Sequence, residues 1–517
     1  HSLVDCGYEC GQRIGICNAR LVGSRKSKVD QDSVMASNPM QRLAYWAIGT
    51  FTVALAAAIY FEWPWLAFLP AVMWMVWMAF ARLDTLILVL VACVPLSLSL
   101  EDLELGGIGL YLPTEPLLAG LLGLFILRIF RGWPVDQRVL HHPFSRLVSI
   151  SLAWILITSI TSSFPLISFK FFVARLWFVV GFLWLLAHFF VHQPAHRHKF
   201  IMAYVFPLCI VVVYTVIRHA GFGFEKDAGH WVMKPFFKDH TSYGAVLAMV
   251  TPPLFALLFF KRFSPFIKAL LAGALAIIVV GLILSYTRAA WVSLAAVAAL
   301  WGLMRAGFQL KTLLSIGAIV LAFGWIARDT LVIQLERNSQ DSSDDLSEHV
   351  ESISNVSSDA SNLERLNRWN AALALFSERP IVGWGAGTYQ FVYAPFQRSK
   401  DRTIISTNNA DGGNAHSEYL GPLAEQGFPG LLWVLGLLGF CLHWGFRLQR
   451  VLSEREDRLL AMGVFLGLMT YFVHGVLNNY LDTDKASALF WGFFAVMLAL
   501  DLKASRPRES KEDVLVS

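Results

Sequence analysis

A chain of 517 residues that is 56% hydrophobic, 14% aromatic and only 15% charged, with positive mean hydropathy, carries more apolar surface than a water-soluble core can hide. That composition excludes an ordinary soluble enzyme and makes lipid the solvent. The formal charge of +5 is modest, so its placement along the chain matters more than its size.

Residues 1–42 are hydrophilic, and residues 1–40 contain no apolar stretch preceded by basic residues, so no signal peptide is read there. Cys6, Cys10 and Cys17 lie in this stretch without a nearby fourth metal ligand, while Cys93, Cys209 and Cys441 lie in apolar blocks. None falls in a polar connector where a disulfide framework would be expected, so free thiols are the simplest reading.

Apolar blocks follow near 43–61, 63–81, 84–100, 110–130, 147–164, 168–191, 200–217, 242–260, 266–285, 289–304, 312–327, 429–446, 459–476 and 486–500. Each approaches the length that crosses a hydrocarbon core as helix. Helices are forced, because an unpaired backbone amide in lipid costs several kcal/mol. Runs such as Ala272 to Ser285 and Leu431 to Gly439 are apolar on every face, unlike the alternating strands of a barrel. The expected fold class is therefore all-α, a polytopic transmembrane bundle of about 12–14 spans with one large periplasmic helical loop.

With the amino terminus in the cytoplasm, Arg20, Arg25, Lys26, Lys28 and Arg42 lie inside, and every second connector is then basic: Arg128/Arg131/Arg138, Arg197/Lys199, Lys261/Arg262/Lys268, Arg305/Lys311 and Arg447/Arg450. The short connectors opposite, around 62, 101–108 and 162–166, carry no Lys or Arg. The expected organisation is a cytoplasmic segment at 1–42, transmembrane helices over 43–327 with an outer loop at 218–241, a large periplasmic loop at 328–428, carboxy-terminal transmembrane helices over 429–500 and a cytoplasmic tail at 501–517.

The long loop is not uniform. Asn338 to Asn362 is rich in Ser, Asp and Glu and predicts a mobile or disordered stretch. The following NLERLNRWNAALALFSERP predicts an amphipathic helix capped at Asn362 and stopped at Pro380, with Arg365, Arg368 and Trp369 on one face. Gly383-Trp-Gly-Ala-Gly387 is wrongly spaced for a nucleotide fingerprint and predicts a tight turn that brings Trp384 and Tyr389 against the membrane surface. The loop closes with Asn414-Ala-His416-Ser-Glu418-Tyr-Leu, which places His416 just outside the membrane before a helix. Ser285-Tyr-Thr-Arg288 lies at the outer junction of two spans with almost no loop between them.

A reaction here on a lipid diphosphate needs two or more fixed cations on the diphosphate, and arginine's planar fork supplies them without a metal. It also needs a base of near-neutral pKa for an attacking hydroxyl, which histidine provides. Arg288, Arg365 and His416 form such a set. Alone, each has a plainer reading: Arg288 as a snorkelling anchor, Arg365 and Arg368 as a solvated helix face, His416 as a cap or headgroup-level residue. Lys170 and Arg175, in the outer half of a span, read equally as phosphate or headgroup contacts and as snorkelling side chains. Lys238-Asp-His240-Thr-Ser could line the same cavity, with Asp239 as a helix cap.

In order, SYTRAAW, then R-x-x-x-W ahead of ERPIVGWGAGTY, then HSEYLGPLAEQGFPGLL resembles the O-antigen ligase and O-antigen polymerase superfamily over roughly residues 235–445. The resemblance implies a GT-C-like membrane glycosyltransferase on the periplasmic face of the bacterial inner membrane. It would transfer a glycan from undecaprenyl diphosphate to a lipid A core or glycan acceptor without metal, cofactor or nucleic acid. Arg288 and Arg365 would hold the donor diphosphate and His416 would activate or position the acceptor. Arg368 and Glu418 are secondary candidates, followed by Arg175, Lys170 and His240. HSEY stands where many members have His-Asn.

The compact segment from His416 to the next span and the single dominant loop favour a ligase over a polymerase or a protein glycosyltransferase. A transporter of lipid-linked sugars is the rival of another class and calls for paired broken helices and midplane charges. The spans after residue 240 are nearly charge-free at their centres, which favours surface chemistry.

Overall fold

The computed structural model describes residues 39–62, 69–100, 111–132, 135–319, 360–399 and 413–505, with single positions at 322, 402 and 406. The Ser-rich stretch before the Arg365 helix, the first three cysteines and both chain ends lie outside the described residues. The chain divides into two units, His1–Leu83 and Asp84–Ser517.

The first unit holds α1 (Pro39–Tyr60) and α2 (Leu69–Ala81), which pack on one another. In the second unit the apolar blocks become α3 (Leu83–Cys93, which starts at the unit boundary), α4 (Thr114–Phe130), α5 (Pro143–Ile160), α6 (Pro165–His192), α7 (His196–Ala220), α8 (His240–Leu257), α9 (Pro265–Ile283), α10 (Arg288–Arg305) and the short α11 (Leu310–Ile319). After the long polar stretch come α12 (Ala360–Glu378), α13 (Leu420–Val451), α14 (Arg455–His474) and α15 (Asp484–Ala504). The all-α polytopic bundle is thus observed. Among the described residues, six helices are long and apolar enough to cross a membrane: α5, α6, α7, α9, α13 and α15.

Helix starts follow local chemistry. Ser264 caps α9 by accepting from Ile267 N, with Pro265 at the first helical position where its missing donor costs nothing. Asp239 caps α8 by accepting from Ser242 N at 2.7 Å, as its position before the apolar block predicts. Inside α6 the backbone widens into a π turn at Val179–Leu185, which packs against α15.

The last helix is the core. Along α15, Trp491, Phe493 and Phe494 are fully buried, and α6, α13 and α14 close around it. By contrast α5 exposes Ile150, Ile157 and Ile160, and α9 exposes Phe266, Leu270 and Ile283, apolar faces suited to lipid tails. The free thiols of Cys93, Cys209 and Cys441 agree with the sequence reading.

The start of α15 is tied down by a buried polar knot. Asp484 accepts from Ser97 Oγ and Thr114 Oγ1, both at 2.6 Å. Lys485 Nζ donates to Ser97 Oγ at 2.7 Å and Ser97 O at 3.2 Å and pairs with Asp484 at 3.4 Å. The knot fixes a two-stranded antiparallel ribbon, Leu98–Ser99 against Tyr111–Leu112. At the opposite end of the bundle, ion pairs close the connectors: Arg138 with Asp136, Arg262 with Glu456, Arg197 with Asp457, Lys503 with Glu454 and Asp457, and Arg447 with Asp501.

Candidate functional site

α12 begins at Ala360, two positions ahead of the expected cap at Asn362, and ends at Glu378 just before Pro380. Its polar face meets two segments distant in sequence. Arg368 Nη1 donates to Asn414 O at 3.1 Å, Trp369 Nε1 to His416 O at 3.4 Å, and Arg365 Nε to Leu477 O at 3.4 Å. The three side chains expected on one face therefore hold the His416 segment and the loop between α14 and α15 together. Arg368 also pairs with buried Glu364 at 2.7 Å. Burial works to raise the Glu364 carboxyl, but hydrogen bonds from Ser406 and Arg368 outweigh it and hold it below its ordinary value.

The glycine turn differs from expectation. Tyr389 is buried in a cluster with Ala371, Leu375, Tyr393 and Ala424, and Trp384, partly buried, packs against it. Tyr389 Oη donates to Arg368 O at 2.7 Å, and Trp384 N donates to Ala424 O at 3.2 Å. The reason is mutual threading of two glycine segments. Gly427, at φ 70°, breaks the regular course of α13, and a Cβ there would collide with Ile381 O. Gly383, at φ 66°, leaves no room for a Cβ beside the Glu425 carbonyl. The turn thus clamps α12 to the start of α13.

His416 sits between these parts with its backbone in the left-handed region at φ 47°, as does Tyr286 of the SYTR segment at φ 48°. For residues other than glycine this conformation is uncommon and needs support from the surroundings. Asn414 Oδ1 supplies part of it by accepting from His416 N at 3.0 Å. Burial, and then the charges of Arg368 and Arg365, push the His416 imidazole down to about 4, while Glu364 and a hydrogen bond with Asn478 oppose the shift. The ring is therefore neutral near pH 7, but its value lies well below the near-neutral one expected of a base from the sequence, because burial disfavours the charged form.

Arg288 is the first residue of α10, in a tight connection from α9, as its spacing predicts. The preceding Thr287 donates to the His240 carbonyl at 2.8 Å, and His240 lies within electrostatic reach of Arg365. The three leading candidates thus belong to one end of the bundle.

The lesser candidates separate. Lys170 is exposed and distinct in setting from Arg175. Arg175 does not snorkel: it is 7% exposed, lies near the Phe171 and Trp433 rings, and faces the charges of Glu418, Asp482 and Glu425. Glu418 takes up its hydrogen-bonding capacity inside the protein, accepting from Tyr471 Oη, from Tyr480 N at 2.8 Å and from Leu481 N at 3.1 Å. Its own amide donates to Gly475 O at 2.8 Å, so it straps the His416 segment to the loop 475–483. His240 supports the SYTR turn through its carbonyl, and its ring stacks on His230 at 4.3 Å.

A cavity of about 300 Å³ opens beside His416, and Arg368, Asn414, Lys238, Asp239 and Asp482 also line it. Lys238 and Asp239 occupy the position expected from their segment. Asp482 and its neighbours Tyr480 and Lys485 were not evident as site residues. YLDTDK reads as an ordinary polar connector until folding brings residues 416 and 482 to the lining of one cavity.

Residues 273–435, which include Arg288, Arg365, Arg368, His416 and Glu418, match the family model described as O-antigen ligase. That stretch is similar to the O-antigen ligase family. Comparison with curated proteins gave no match. Within the matched stretch lie the SYTR turn, α12, the glycine clamp and the His416 segment, while Lys238 and Asp482 lie outside it. Together with the six long apolar helices, this match supports a multi-pass membrane protein of the O-antigen ligase and polymerase type.

Proposed function

We propose that the chain transfers a glycan from an undecaprenyl-diphosphate donor to a hydroxyl of a lipid A core sugar, on the periplasmic face of the bacterial inner membrane. The observation that carries this reading is the placement of His416: a neutral imidazole on a strained backbone, flanked by Arg365 and Arg368 and opening onto a sugar-sized cavity. Residues 328–428 then form the large periplasmic loop, in a GT-C-like arrangement.

In this reading Arg288 and Arg365 hold the donor diphosphate. Arg288 adds its charge to the positive end of α10, which suits an anion. His416 takes the proton of the acceptor hydroxyl as its oxygen bonds to the anomeric carbon, and the bond from that carbon to the diphosphate breaks. The charge that builds on the departing lipid diphosphate is met by the two guanidinium groups, so the cations the chemistry needs come from the chain itself. Arg368 and Glu418 act as positioning residues through Asn414 and the loop 475–483.

The test is transfer in liposomes containing the purified chain, a lipid-diphosphate glycan and a lipid A core acceptor. Wild type forms the joined product, while His416→Ala and Arg288→Ala lose it. Full transfer by both variants defeats the site assignment. Movement of the donor across the bilayer without joining identifies a transporter, and extension of one lipid-linked chain by another identifies a polymerase.

A further inference from the structure

The cavity beside His416 contains two kinds of charged side chain. Lys485 is fully engaged, since its three donors are met by Ser97 O, Ser97 Oγ and Asp484. Arg368 is committed to Glu364 and Asn414, and Asp239 accepts from Ser242 N and Thr241 Oγ1. Lys238 and Asp482 differ: both line the cavity and are exposed to it, and neither makes a hydrogen bond or ion pair with another side chain among the described residues. Asp482 feels the charge of Arg175 and, more weakly, that of Lys238. Aromatic walls from Tyr111, Phe236 and Phe237 complete the space.

We infer that this cavity is the acceptor-sugar subsite, that it takes an uncharged pyranose, and that Lys238 and Asp482 determine its specificity. The inference rests on the proposed transfer reaction and deepens it. Arg288 and Arg365 do not line the cavity, whereas His416 does. A base that works between donor and acceptor must face both, so the donor diphosphate lies on the arginine side and the acceptor on the cavity side. An ammonium opposite a carboxylate binds the paired hydroxyls of a sugar ring, which both donate and accept, and the aromatic walls cover its apolar face. A phosphate or uronate would gain Lys238 but meet Asp482 and Asp239, whose charge repels it.

The test uses the chain in liposomes with a lipid-diphosphate glycan and three acceptors that end in a neutral hexose, the matching uronic acid and the matching hexose 6-phosphate. Wild type prefers the neutral acceptor. Asp482→Asn and Lys238→Gln raise the acceptor KM roughly ten- to a hundredfold with donor KM unchanged, and Asp482→Asn narrows the preference against the anionic acceptors. A parallel titration measures binding of the neutral oligosaccharide to the detergent-solubilised chain, so absence of transfer defeats the proposed reaction without deciding the subsite. Unaltered oligosaccharide binding in both variants overturns the inference. So does equal use of the three acceptors by wild type, or a rise in donor KM alone, which places the donor sugar in the cavity.

Discussion

At one end of the bundle Arg138, Arg197, Arg262, Arg447 and Lys503 each meet a carboxylate, whereas at the other Lys238 and Asp482 face a cavity without closing on another side chain among the described residues. Both ends are polar and both lie where helices meet connectors. The paired end has its charges neutralised by near neighbours and serves to join α5, α7, α13, α14 and α15. The open end surrounds its cavity with a hydrogen-bonded shell, formed by Glu418, Glu364 and the Asp484–Lys485 knot, and presents Lys238 and Asp482 to the space that a substrate can reach. Polar residues near a membrane thus divide by whether their partners are already present.

The largest expected effect tests the open end. His416→Ala lowers transfer by about two to four orders of magnitude, the range of a lost general base, with little change in thermal unfolding. A loss confined to stability would make His416 a structural residue like those of the paired end. Next comes the shell itself: Gly427→Ala puts a Cβ against Ile381 O in a backbone conformation other residues avoid. It is expected to cost about 2–4 kcal/mol, read as a lower unfolding temperature in detergent.

At the paired end Asp501→Asn removes the carboxylate shared by Arg447 and His142. Stability falls by about 1–3 kcal/mol, while transfer per folded molecule stays at the wild-type level. A selective loss of transfer there would couple the two ends and break the contrast.

The smallest effect concerns pH. With the His416 imidazole at about 4 in the free protein, kcat/KM is flat near neutrality and falls only as pH drops through that value. The same shift lowers stability as pH falls from about 6.5 toward 4, because the unfolded chain takes up a proton that the folded one resists. Arg368→Gln removes one of the charges holding the ring neutral and moves the acidic limb upward, by less than burial contributes. A downward or absent shift would mean that Arg368 acts on His416 only through the backbone of Asn414.

Much of this architecture is legible in the sequence because lipid imposes a strict rule on backbone amides. Each apolar block meets helix among the described residues, and the α12 stop at Pro380 and the Asp239 cap follow from local chemistry. What local chemistry cannot supply is the partner. Arg175 reads equally as a phosphate or headgroup contact and as a snorkelling side chain, because its spacing does not reveal the Trp433 ring and the nearby carboxylates that receive it. Trp384 and Tyr389 read as interfacial aromatics because the threading of Gly383 against Gly427 joins segments with separate turn signals. Asp482 carries no signal of its own, since its setting arises only when the last connector comes to line the same cavity as residue 416.

Lys238 and Asp482 stand on either side of the matched stretch 273–435, one before it and one after. Under the subsite inference, the groups that perform the joining and those that choose what is joined are therefore encoded in different portions of the chain. Exchanging residues 236–240 and 479–483 between relatives would then redirect acceptor choice while leaving the reaction step intact, so the two properties can diverge at different rates.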